Sequence, residues 1–166
     1  MLDIKIKTVP EASVRAEQSG DWWYDQKRQG RITVSVVGDT FCTESELAIA
    51  IHELVEAFLC RRDGVTEQEV VDFDTLYESE RKQGRHHKDE EPGDDPRSPY
   101  RLQHAAAIHV ERAVCLALDL MWKEHELALS ATAGARPKRE SLGPHLPGLA
   151  PGHPLGSSPE DQPCNH

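Results

Sequence analysis

Two short stretches carry the residues capable of chemistry. In AIAIHELVEAFLC (48–60) an imidazole and two carboxylates, His52, Glu53 and Glu56, interrupt an apolar run. In HAAAIHVE (104–111) His104 and Glu111 do the same further along the chain. At about 100° per residue on a helix, Leu47, Ile51, Leu54, Val55, Phe58 and Leu59 gather on one arc. His52 and Glu56, one turn apart, border that arc and point the same way, with Glu53 on a neighbouring line. Two ligands at i and i+4 can grip a divalent metal, and an intervening glutamate can act as general base toward metal-activated water.

The second stretch constrains the first. On its helix, Ala107, Ile108, Val110, Val114, Cys115, Leu118, Met121 and Trp122 form an apolar arc, and His104 and Glu111 project from its middle while His109 falls on the far side. A buried imidazole and a buried carboxylate need partners, because stranding either in an apolar interior costs several kcal/mol. His52 and Glu56 are the partners expected. The resulting set is His52, Glu56 and His104, with Glu111 either a fourth ligand or the acceptor that fixes a histidine tautomer. Two histidines and one glutamate form a catalytic zinc composition with a position left open. A metal-free hydrogen-bond network among the same residues is the alternative.

The surrounding elements must hold these helices together. Leu2, Ile4 and Ile6 alternate with charged residues, and Gly30 to Val37 is rich in β-branched residues, so two strands are expected, with a further short one at Trp22 to Tyr24. Thr43-Glu44-Ser45-Glu46 has the capping-box pattern and should start the first helix, which ends at Arg61 or Arg62 before Gly64. Thr66-Glu67-Gln68-Glu69 repeats that pattern before a second helix whose face is marked by Val70, Phe73, Leu76 and Tyr77. Residues 81–97, including His86, His87, Asp94 and Asp95, read as a solvated loop. Ser98-Pro99 supplies an N-cap and a first-position proline for a third helix reaching about Glu126.

The chain of 166 residues carries a net charge of -10, all of it within residues 1–128. Such a domain repels polyanions, which argues against nucleic-acid and anionic-membrane partners. The opening residues lack the apolar core of a signal peptide, and no apolar run approaches membrane-spanning length, so a cytoplasmic chain is expected. The four cysteines form no CxxC pair, and Cys60 and Cys115 fit as small core residues. Residues 129–166 contain seven Pro and five Gly without a period and should form a disordered tail.

A strand followed by a helix bearing His-Glu-x-x-[His/Glu], with a further ligand from a later helix, resembles the zincin-type metallopeptidases. That resemblance makes His52 the first ligand, Glu53 the general base and Glu56 the second ligand, with His104 in place of the usual downstream glutamate. The combination of DWWYD, RITVSV, HELVEA, EPGDDP and LQHAAAIHVER is similar to small proteins commonly encoded by phages and prophages, which would place the chain in host cytoplasm. Separately, Glu53, Glu56, Glu69 and Asp72 fit ExxE…ExxD and resemble the all-α MazG-type nucleoside triphosphate pyrophosphatases, which implies Mg²⁺ in place of zinc. A third possibility is a metal-stabilised phage accessory protein that binds another protein. The reading as a whole is an α+β, zincin-like minimal domain (1–128) of two or three N-terminal strands packed on three helices. It binds one divalent metal and, as an enzyme, is a metal-dependent hydrolase of unread substrate.

Overall fold

The computed structural model describes residues 3–10, 19–25, 31–37, 42–87 and 90–134. Strands β1 (Asp3–Val9), β2 (Gly20–Tyr24) and β3 (Arg31–Val37) form a mixed sheet in the order β1-β3-β2. β3 runs parallel to β1, with Ile4 beside Ile32, and antiparallel to β2, with Trp22 beside Val34. The β-branched run of β3 suits this central place: Ile32 to Val37 are all buried, so both faces of the strand are covered.

Four helices follow: α1 (Thr43–Asp63), α2 (Glu67–Lys82), α3 (Arg101–Ala117) and α4 (Trp122–Gly134). The fold is α+β, as expected, but with one helix more than the sequence suggests. α1 lies between the sheet and α3, packing on β3 and β2 on one side and along α3 on the other. Ile49, Ala50, Ala57 and Cys60 meet Trp22, Ile32, Val34 and Val36 in one apolar cluster, while Ala48 joins Cys115 and Leu120 in another.

This central position corrects the facing expected for α1. Leu47 and Phe58, assigned to the core, are 45% and 47% exposed. Small side chains line the covered faces instead, allowing sheet and helix to approach closely, and they leave the polar edge of the helix facing inward. The edge strand β1 shows a related effect. Its Ile4 and Ile6 stay exposed at 40% and 46%, because α1 lies over β3 and β2.

Helix boundaries follow the chemistry of individual residues. Gly64 takes the left-handed conformation at φ 80 and closes α1, with the Val65 amide donating to the Cys60 carbonyl at 2.9 Å. The expected capping box at Thr66 and Glu69 forms, with the Glu69 amide donating to Thr66 Oγ1 and the Thr66 amide to Glu69 Oε2. The one at Thr43 does not: Cys42 precedes the helix without a side-chain cap, and Ser45 turns its hydroxyl inward to His125. α3 begins at Arg101, two residues later than Ser98-Pro99 predicts, because Tyr100 is drawn into the core and its hydroxyl donates to Asp74 at 2.5 Å.

The long third helix also divides. α3 stops at Ala117, Asp119 takes a left-handed φ of 55, and the Leu120 amide closes on the Cys115 carbonyl at 2.9 Å. α4 then passes Leu129, which packs against the main apolar cluster, and reaches Gly134. The boundary expected at 128 therefore falls inside a helix; residues 135–166, which hold the rest of the expected tail, lie outside the described residues. No helix among the described residues is long and apolar enough to cross a membrane.

The segment between α2 and α3 is not simply solvated. Glu80, buried at the end of α2, accepts hydrogen bonds from Arg97 at 2.8 Å and from His86 at 2.9 Å, and the His86 ring stacks on Tyr77 at 3.8 Å. Arg97 also pairs with Asp95 at 2.8 Å. Arg97 and then His86 hold Glu80 down at about 2, and Arg97 does the same for Asp95. A carboxyl depressed below its unfolded value stabilises the fold above that value, and the contribution is lost as pH falls through the folded pKa. Acid titration should therefore lower the melting temperature progressively from about pH 4.5 toward about 2. Glu80→Gln should begin with a lower melting temperature at neutral pH and lose less across that window; an acid profile identical to wild type would remove Glu80 from this role.

Candidate metal centre

Glu56 stands where β2, α1 and α3 meet, and it is 5% exposed. Trp22 Nε1 donates to its Oε1 at 2.9 Å, and His104 Nδ1 donates to its Oε2 at 2.9 Å. His52, one turn earlier on α1, places Nε2 at 3.6 Å from the same Oε2. His52, Glu56 and His104 each offer one ligand atom, and the three atoms lie within 4.8 Å of one another. The two imidazole rings meet edge to face with centroids 5.0 Å apart. The expected convergence of α1 and α3 on one polar cluster is thus present.

The outer nitrogen of each histidine faces a further carboxylate. His52 Nδ1 donates to Glu111 Oε2 at 2.8 Å, so Glu111 touches a histidine rather than joining the three clustered groups. His104 Nε2 lies 3.0 Å from Glu91 Oε2, out of line for a hydrogen bond, and is otherwise buried without a partner. A carboxylate on the outer nitrogen fixes the tautomer and ring orientation of a ligating histidine and raises its basicity. Both histidines have this arrangement in outline.

The electrostatics follow from burial and contact. Burial opposes the charged form of His52, yet the hydrogen bond it donates to Glu111 and the nearby Glu56 carboxylate hold it well above its usual range. His104 rises to about 9 against the same penalty, through Glu56 and Glu91. Glu56 and Glu111 fall to about 2, burial being outweighed by His104 and His52 for the first and by His125 and His52 for the second. Glu53 behaves oppositely: burial first, and then the charge of Glu56, push its carboxyl well up. Its carboxylate lies against Gly20 of β2, where a Cβ would come within 2.5 Å of Oε1.

Several site residues are not marked by the sequence motifs. Trp22 reads as part of a strand, and Glu91 and Gly93 belong to a stretch read as solvated. Gly93 sits in a short 3-10 turn, Pro92–Asp94, pressed directly on the His104 ring, where a Cβ would lie 2.3 Å from Cγ. His125 on α4 donates from Nε2 to Glu111 Oε1 at 2.8 Å, and its Nδ1 is 3.0 Å from Ser45 Oγ. The only available sequence signal for His125 is the Asp119-Leu120 break, which a continuous apolar arc obscures. Ser45, His125 and Glu111 have the composition of a nucleophilic triad, but Ser45 Oγ is directed inward and the residue is 3% exposed, so no substrate reaches it.

Other candidates separate from the cluster. Glu69 is exposed and held by its own cap, and exposed Asp72 accepts from Gln68 at 2.8 Å. They do not share the buried position of Glu56, and the three-stranded sheet departs from an all-helical pyrophosphatase fold. His86 and Asp95 serve the Glu80 network, while His87, Asp94 and His109 are exposed. No family model, curated protein or solved structure matches the chain.

Gly93→Ala should overpack the His104 contact and cost about 1–3 kcal/mol, as added methyl groups in filled interiors do. Urea denaturation measures this loss; a variant as stable as wild type would show that the turn does not bear on the ring.

Proposed function

We propose that the chain binds one divalent metal ion, zinc by its donor set, through His52, Glu56 and His104. The observation that carries this reading is the placement of three buried or part-buried ligand groups from two helices within 4.8 Å of one another. The buried Glu111 carboxylate behind His52, the half-exposed Glu91 carboxylate beside His104 and the Trp22 N–H behind Glu56 support it. Two imidazoles and a carboxylate suit zinc better than Mg²⁺, which takes oxygen ligands. Glu111 contributes by orienting His52.

Three protein ligands leave a fourth position open, the arrangement found in catalytic rather than structural zinc sites. Hydrolysis is the reaction such a centre suits, and we assign the general base to Glu53. A bound zinc ion supplies Lewis acidity and lowers the pKa of water. Glu53 stands beside Glu56 on α1, and its contact with Gly20 fixes it against β2. The centre meets solvent near Glu91, whose side chain is half-exposed. This reading retains the likeness of HELVE to the zincin helix and leaves the substrate open.

Elemental analysis of protein purified without chelators should find about one equivalent of zinc, and His52→Ala and His104→Ala should each lose most of it. Wild-type protein with less than about a tenth of an equivalent, even after zinc is supplied, would contradict the proposal and favour a metal-free hydrogen-bonded cluster. Glu53→Gln should keep the metal and lose about 10²–10⁴ in rate on a substrate found by screening peptides and esters. Undiminished turnover in that variant would remove Glu53 from the reaction.

A further inference from the structure

Four polar side chains form a hydrogen-bonded circuit behind the metal centre, running from Ser45 through His125 and Glu111 to His52. Ser45 and His52 stand on one face of α1, seven residues and nearly two turns apart. Between them the path leaves α1 through His125 on α4, crosses to Glu111 on α3 and returns to His52. Ser45, His125 and Glu111 are 3%, 1% and 4% exposed. A packing role alone would be met at lower cost by apolar side chains, since each buried polar group must be hydrogen-bonded.

The direction of each bond follows from what its atoms can do. A carboxylate only accepts, so His52 Nδ1 and His125 Nε2 both carry protons toward Glu111. With Nε2 committed to Glu111, His125 turns Nδ1 to the Ser45 hydroxyl at 3.0 Å. With Nδ1 committed outward, His52 turns Nε2 toward Glu56 and His104. The fold makes a specific provision for this circuit: His125 follows Glu111 by 14 residues, and along one continuous helix they would be about 21 Å apart. The left-handed turn at Asp119 brings them to 2.8 Å.

We propose that His125, oriented by Ser45, is a positioning residue of the metal centre: it pins Glu111 so that His52 presents Nε2 to the ion. This inference rests on the metal reading above and extends it to α4, which carries no member of the three-residue cluster. The loss of His125 should therefore weaken metal binding without removing a ligand.

Zinc titration against a competing chelator tests this with wild type, His125→Leu, His125→Gln and His125→Asn. A glutamine amide can place a donor near the position of Nε2, whereas asparagine is too short to reach Glu111. His125→Leu and His125→Asn should weaken zinc binding by about 10–100-fold, and His125→Gln should recover most of that loss. In ¹H–¹⁵N spectra of the metal-free protein, the His52 Nδ1–H resonance should persist in His125→Gln and be lost to solvent exchange in His125→Asn. Should His125→Leu fail to fold, the contrast between the two amides decides the matter. Equal zinc affinity in His125→Asn, His125→Gln and wild type overturns the positioning role and leaves the metal reading standing. Wild-type protein that binds no zinc overturns both.

Discussion

A carboxylate in an apolar interior is tolerated only when both oxygens are satisfied, and Glu56 meets that condition with one donor from β2 and another from α3. That requirement ties the sheet, α1 and α3 to a single point. If β2 shifts along β3, Trp22 leaves Glu56 Oε1; if α3 slides along α1, His104 leaves Oε2. A buried ion pair of this kind contributes less to net stability than to the uniqueness of the packing, because desolvation offsets much of the attraction. The apolar clusters on either side of α1 supply the burial, and the polar centre between them sets the register.

The arrangement extends outward through contacts that each restrict the next. Gly93 brings the turn before α3 onto the His104 ring, and Glu80, with Arg97 and Asp95, holds the flank of that turn. On the opposite side Glu111 orients His52, and α4 reaches Glu111 through His125. The two histidines are thus restrained from independent parts of the chain. Preorganisation of this kind is what a metal centre needs, since ligands already held in place lose little freedom when the ion arrives.

The sequence made the central cluster legible because polar residues in the middle of an apolar helical face have few alternatives. His104 and Glu111 on one helix required partners, and His52 and Glu56 were the available ones. The facing of α1 is less legible: a helix packed on two sides has no single apolar arc, so Leu47 and Phe58 stay exposed while Ala48, Ala57 and Cys60 form the contacts. The break between α3 and α4 was hidden for a different reason. Apolar residues continue across it, and a left-handed aspartate leaves a weaker mark than glycine or proline. The same hidden break conceals the role of His125. Trp22, Glu91 and Gly93 were not readable as site residues, because their roles depend on contacts between distant segments.

The ion proposed for this protein would occupy the point between His52, Glu56 and His104. X-ray absorption at the zinc edge, on full-length protein loaded with one equivalent, tests this most directly. It should show two imidazole nitrogens and carboxylate oxygen at about 2.0–2.2 Å in a four-coordinate shell, with the imidazole scattering reduced in His104→Ala. A shell of sulfur, or of oxygen alone without imidazole scattering, would contradict it.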